Sequence, residues 1–279
     1  MSRVRIVTDS AADLRPAVAR ELDITVVPSR VQIGDDVWTD GPDLRTPSFY
    51  RRVFASAKAP EVLPPTSEQF AEAYARLAQR SDAIVSVHMT GALDGTVQAA
   101  RRARSLLGQR YDVRVLDSRF ASLALGILVT EAAKAAQDGA RASEIEKLLR
   151  GRIPHTYCAF FVDSPQRLQR AGVTVEGCSG KEWDAEQCPL LLLEDGHVTL
   201  LPRRKRKGTA VERLAEFASE FVQLRHLAML HTGVEGQPEL LRELLTDIVP
   251  KQDIEEQICG LSFGRLVGPK GMALVAAET

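Results

Sequence analysis

Two hydrophobic rhythms divide this chain. In the first half, short apolar runs such as VRIVTDS (4–10) and AIVSVH (83–88) alternate with segments whose apolar residues recur every three or four positions. The runs read as buried strands and the periodic segments as amphipathic helices. Strands are expected at 4–8, 24–33, 83–88 and 113–116, and helices at 13–22, 46–55, 68–79 and 95–107. The small-residue stretch FASLALGILVTEAAKAAQDG (120–139) follows as a long helix that closes the half. Such βα alternation predicts an α/β/α unit around a mostly parallel sheet, with ligands held beyond the C-terminal strand ends.

The second half has a different pattern. A strand at 157–162 leads to a short helix, SPQRLQRAG (164–172), and then to a loop-rich segment reaching 187. CPLLLLEDGHVTLLP (188–202) reads as a hairpin, because Asp195-Gly196 suits a two-residue turn that needs positive φ. A helix at 209–224, a strand at 226–231, a helix at 239–249 bracketed by Pro238 and Pro250, and two closing strands complete the pattern. This predicts an α+β domain with a mixed sheet and helices on one face. The expected division is a domain at 1–153 and a second at 154–279.

Composition narrows the function classes. A length of 279 residues suits two domains, and 44% hydrophobic with 26% charged residues is ordinary for a globular protein. A net charge of −1 argues against a general nucleic-acid or anionic-surface binder. Cys158, Cys178, Cys188 and Cys259 form no CxxC pair, so neither a zinc site nor a disulfide framework is signalled. No stretch approaches the roughly 20 apolar residues of a membrane span, and no apolar leader precedes the first strand. A cytoplasmic location follows as the expectation.

Candidate chemistry gathers at three expected strand ends: Thr8-Asp9-Ser10, the turn 90–96 within IVSVHMTGALDGTVQAARRA, and Asp117-Ser118. A strand feeding a helix N-terminus suits an anion, yet this turn carries Asp94. Asp94 reads in three ways: a protonated acid donating to a ligand, a carboxylate meant for a donor or cationic head group, or a cap for the helix expected at Gly95. Asp9, Ser10 and Asp117 read either as catalytic or metal-binding groups or as caps on strand ends. No Ser/His/Asp order with a nucleophile elbow accompanies His88, which favours a structural role. RRKRK (203–207) reads as a solvated basic face or a partner-docking segment, and the apolar helix around 120–129 as core or as the lining of an acyl tunnel.

IVTDSAADL, HMTGALDGTVQAA, VLDSRFASLALGILV, FFVDSPQRLQRAG and PLLLLEDGHV, in this order and spacing, resemble the DegV family. The resemblance implies a two-domain carrier without cofactor or chemistry of its own. Such a carrier buries a long-chain acyl ligand between its domains and presents the carboxyl group to a fatty acid kinase. The family holds that carboxylate with hydroxyls and a histidine, and here the matching positions and other pocket positions differ. Val62 and Leu63 stand at a Thr-Ser pair, although the nearby PPTS restores it with a gap. Leu93-Asp94-Gly95-Thr96 stands at a Leu-Ser-Gly-Thr turn, Leu266 at the histidine, Lys270 at a glycine, Val173 at an arginine and Cys188 at a lysine. The side chains of Val62, Leu63 and Leu266 donate no hydrogen bond, and Asp94 would repel a carboxylate. The site residues expected on this resemblance are therefore Val62, Leu63, Asp94, Gly95, Thr96, Val173 and Leu266, in an atypical carboxylate site. Two alternatives stand beside it: an enzyme of a dihydroxyacetone-kinase-like fold using Asp9, Asp94 and Asp117, and a partner-binding regulator that has lost its ligand.

Overall fold

The computed structural model describes residues 3–108, 111–177, 189–201, 208–250 and 253–278. Cys178, Cys188, the basic run 203–207 and the segment 178–187 lie outside these residues. The chain forms two compact units, one of residues 1–42 and 58–154, the other of residues 43–57 and 155–279. The segment 43–57, early in the sequence, therefore belongs with the C-terminal elements.

In the first unit the strands β1 (Val4–Asp9), β2 (Thr25–Val27), β6 (Ala83–His88) and β7 (Asp112–Asp117) form a parallel sheet ordered β2-β1-β6-β7. All six residues of β6 are buried, as a strand covered on both faces requires. Val7, Ile84 and Val113 pack on one face with Phe70, Tyr74 and Ala100 of the helices α3 (Ser67–Ala78) and α4 (Thr96–Leu107). Helices α5 (Ser122–Gln137) and α6 (Ala142–Arg152) also pack on this sheet. A short helix α1 (Pro16–Glu21) lies between β1 and β2. A Cβ at Gly126 would sit 2.5 Å from the Ala12 carbonyl oxygen, so glycine lets α5 approach the turn that follows β1.

The strand expected at 24–33 is two strands in two sheets. Pro28 has no N–H to continue the ladder, so β2 stays in the parallel sheet. After the break, β3 (Arg30–Ile33) joins a small antiparallel sheet with β4 (Asp36–Thr39) and β5 (Glu61–Leu63), ordered β4-β3-β5. The pairing Val31↔Val62 and Arg30↔Leu63 fixes the candidate residues 62 and 63 on this sheet.

The second unit is built on a seven-stranded mixed sheet ordered β13-β12-β14-β8-β10-β11-β9. Its strands are β8 (Thr156–Phe161), β9 (Val175–Glu176), β10 (Leu191–Glu194), β11 (His197–Leu200), β12 (Leu224–His231), β13 (Ile254–Ile258) and β14 (Met272–Glu278). Asp195 and Gly196, at φ 50° and 87°, make the tight turn expected between β10 and β11. Phe161, Leu274 and Met229 face α8 (Ala210–Ala218) and α9 (Gln237–Leu245) in one core. The opposite face is covered too, which corrects the expectation of helices on one face only. Phe160, one position from Phe161, packs 5.4 Å from Phe263 of α10 (Leu261–Val267). This short apolar helix had been absorbed into the closing strands of the sequence pattern.

The helix α2 (Pro47–Ala55) completes that side. Tyr50 is buried and donates to the Cys259 carbonyl at 2.7 Å, the Arg167 guanidinium of α7 (Pro165–Arg170) lies 4.9 Å from the Phe54 ring, and Pro47 fits against Gly233. A Cβ at Gly264 would overlap the Tyr50 hydroxyl. Gly264→Ala should therefore cost about 1–3 kcal/mol by overpacking, and much less in a Tyr50→Ala background, where the obstructing ring is gone. Denaturant titration of the four variants checks this, and an equal cost in both backgrounds would place Tyr50 elsewhere.

Candidate functional site

The parallel sheet of the first unit brings the ends of β1, β6 and β7 side by side, and each delivers a polar residue. Asp9 is fully buried. Its Oδ1 accepts the Ala11 N–H at 3.0 Å, while Oδ2 accepts the Met89 N–H at 3.2 Å and lies 2.9 Å from His88 Nδ1. An ionised carboxylate only accepts, so Nδ1 carries the proton. In the neutral ring Nε2 then accepts, and the Ser86 hydroxyl, 2.6 Å away, donates to it. The Tyr74 hydroxyl from α3 reaches Ser86 at 2.8 Å, and burial pushes its pKa up, which keeps it a donor. Phe70 meets the His88 ring edge-on at 4.8 Å.

Ser86, His88 and Asp9 thus stand in the hydrogen-bonded order of a hydrolytic triad, which sequence reasoning missed. Ser86 and His88 are two residues apart and share a strand face, a pattern legible in SVH. Asp9 joins them only through the pairing of β1 with β6. The triad is nevertheless sealed: Ser86, His88 and Asp9 have no exposed surface, and Tyr74 occupies the remaining side of the serine oxygen. Its geometry suits holding two strand ends together rather than attacking a carbonyl.

The turn that follows is held by backbone N–H groups. Asp117 Oδ2 accepts the Gly91 N–H at 3.1 Å and Oδ1 accepts the Arg119 N–H at 2.8 Å. A Cβ at Gly91 would lie 2.9 Å from the tip of the Gln98 side chain and 3.4 Å from Asp117 Oδ2, so a larger residue would need Gln98 to swing aside. Thr90 donates its N–H to the Phe120 carbonyl and accepts the Ala92 and Leu93 N–H groups, on its hydroxyl and its carbonyl respectively. Helix α4 begins at Thr96, one residue later than expected, and Asp94 Oδ1 accepts the Thr96 N–H at 2.8 Å. Asp94, one residue before the Gly95 N-cap, thus closes a local turn onto the first residue of the helix. Asp9, Asp94 and Asp117 each spend lone pairs on backbone donors, and no group of three or more His, Cys, Asp or Glu side chains among the described residues could hold a metal ion.

Of the expected site residues, the first unit gathers five. Val62 and Leu63 end β5, and Pro64, the next residue, would lie 3.8 Å from a Cβ at Gly95. The Thr96 hydroxyl is buried and has no hydrogen-bond partner among the described residues. The second unit holds the other two: Leu266 is fully buried on α10, and Val173 is half-buried just after α7, which packs on α10. In that unit Gly268, at φ 80°, leaves the space that Asp163 and Arg167 fill. Neither Leu266 nor Val173 donates through its side chain. A fluorophosphonate probe should leave Ser86 unmodified in the folded protein, as mass spectrometry would show. Labelling of Ser86 without unfolding would mean that the triad opens to reactants.

The comparisons agree with this architecture. The family model described as an uncharacterised protein, DegV family, matches residues 3–279. A DegV domain-containing protein of Lactococcus lactis is 42% identical over 142 residues, covering 51% of this chain but only 50% of that relative. One from Deinococcus radiodurans is 31% identical over 280 residues, covering 99% of this chain and 98% of its own. Among solved structures, a fatty acid binding DegV family protein from Thermus thermophilus superposes with a TM-score of 0.86 at 24% identity, covering 99% of this chain and all of that one. The chain belongs to the DegV family.

Proposed function

We propose that this protein is a non-catalytic, cytoplasmic carrier of a long-chain acyl ligand, with the ligand's head group read at the turn 90–96. The observation that carries this reading is the make-up of that turn. Pro64, which follows Val62 and Leu63 of β5, comes close to Gly95, and the buried Thr96 hydroxyl has no hydrogen-bond partner among the described residues. Fatty acid binding by the Thermus thermophilus relative of the same fold supports it. A non-catalytic role is supported by the sealed Ser86–His88–Asp9 set and by aspartates spent on backbone donors. No helix among the described residues is long and apolar enough to cross a membrane, which is compatible with a cytoplasmic carrier.

Asp94 makes the head-group site unusual. A fatty carboxylate at this turn meets a like charge, and two charges about 4 Å apart repel by about 1–4 kcal/mol at effective dielectrics between water and the protein surface. Val62 and Leu63 offer no side-chain donor in compensation. A fatty acid kinase is the partner the family resemblance implies, and an ionised acid held this weakly would reach such a kinase inefficiently. Asp94→Ser removes the repulsion and keeps a side-chain oxygen able to accept the Thr96 N–H, so folding stability should stay nearly constant. Fatty-acid affinity of Asp94→Ser should rise by about tenfold or more, about 1.4 kcal/mol per tenfold. The gain should be larger at a pH where Asp94 is ionised. Binding titrations of wild type and variant at two pH values check this, and equal affinities throughout would remove the turn from the head-group site.

A further inference from the structure

Two footholds hold the N-terminal half of α2 in the second unit, and both rest on one residue at the end of β12. The Pro47 end sits against Gly233, where a Cβ would come 2.9 Å from the Pro47 Cα, and Gly233 donates its N–H to His231 Nδ1 at 3.1 Å. Further along α2, Tyr50 donates to the Cys259 carbonyl at 2.7 Å. Cys259 in turn donates its N–H to the His231 carbonyl at 3.0 Å and its thiol to the same oxygen at 3.4 Å. His231 is therefore the common footing, and it is only 7% exposed.

The first foothold needs a neutral ring. Nδ1 accepts from Gly233, so the proton of the neutral imidazole is on Nε2, which lies 3.3 Å from Glu256 Oε1 on β13. A second proton goes to Nδ1 and turns the acceptor into a donor facing the Gly233 N–H. The two donors repel, and Gly233, at φ 84° with Pro47 against it, has to move. The charged groups acting on the ring are Glu256, which Arg242 of α9 also holds, and Glu239 near the start of α9. Met272, its pairing partner on β14, and Pro47 of α2 add no charge. Both glutamates favour the imidazolium, but burial outweighs them and holds the His231 pKa below the usual 6.5.

We propose that His231 is a proton-operated latch: proton uptake from solvent at Nδ1 releases the N-terminal half of α2 from the end of β12. The helix lies in the segment 43–57, and the first unit's chain ends at 42 and resumes at 58. The latch therefore sets how firmly the second unit holds a piece of chain whose two ends belong to the first, independently of the ligand reading. In the opened form the ring is solvated and takes its proton at the ordinary histidine pKa; in the closed form it does so only at lower pH. Opening is favoured as pH falls below about 6.5, by up to about tenfold for each unit between the two pKa values, and levels off once the closed form is itself protonated.

Hydrogen exchange of the full chain, read by mass spectrometry between about pH 7.5 and 5 and corrected for the intrinsic pH dependence of amide exchange, tests the proposal. Peptides covering 46–55 should lose protection several-fold as pH falls, while those of β14 keep theirs. His231→Asn keeps an acceptor for the N–H two residues on and does not titrate, so its α2 protection should stay flat over the same range. Glu256→Gln removes a charge that favours the imidazolium, so the loss should shift to lower pH, and this arm holds where His231→Asn fails to fold. Constant α2 protection in the wild type, an equal loss in His231→Asn, or a midpoint unmoved by Glu256→Gln would overturn the latch. Loss of protection in β14 together with α2 would mean acid unfolding of the whole unit and would overturn it equally.

Discussion

One carboxylate holds the working end of the first unit together. Asp9 closes β1 and accepts from three donors: Ala11 just beyond its own strand, the backbone of Met89, and the imidazole of His88. The last two belong to the neighbouring strand β6 and its exit, so the carboxylate pins two strand ends in register where the chain leaves the sheet. A buried ionised group is tolerable only when its acceptor capacity is met, and here hydrogen bonds to a charged acceptor meet it. The turn 90–96 starts two residues beyond His88. Its position therefore depends on Asp9 as well as on Asp117, which grips Gly91 from β7.

This dependence gives the reactive residue types at the strand ends a structural task. Serine, histidine and aspartate in triad order suggest hydrolysis when seen as distances alone. Burial decides otherwise, because a nucleophile beneath Phe70 and Tyr74 meets no substrate. Three aspartates on one rim suggest a hard cation, yet each is already an acceptor for backbone N–H groups. The Thr96 hydroxyl, by contrast, is buried without a hydrogen-bond partner among the described residues.

Much of this was legible in the sequence where one local pattern decided the outcome. The buried strands β1 and β6 and the Asp195-Gly196 hairpin follow from hydrophobic runs and turn chemistry. What escaped were features that exist only across the chain. Pro28 marked a break in the 24–33 run, but nothing local said that β3 would pair with β5, the strand that leads to Pro64 beside Gly95. The helix α2 reads as an ordinary amphipathic segment among N-terminal elements, and its contacts with Arg167, Gly233, Cys259 and Gly264, far along the chain, place it in the second unit. The link from Tyr74 through Ser86 to Asp9 joins a helix and two strands, and no spacing in one sequence encodes it.

The central claim is that the molecule carries an acyl chain and performs no chemistry on it. Organic extraction of the purified protein followed by mass spectrometry tests it most directly. The account predicts a long-chain acyl compound in near-stoichiometric amount, recovered chemically unchanged after prolonged incubation with the protein. Because a carboxylate is disfavoured by Asp94, a protonated acid or a head group that donates hydrogen bonds should be held in preference to an ionised acid. A lipid-free extract from protein that also fails to take up any added acyl compound, or steady conversion of the bound compound to product, would contradict it.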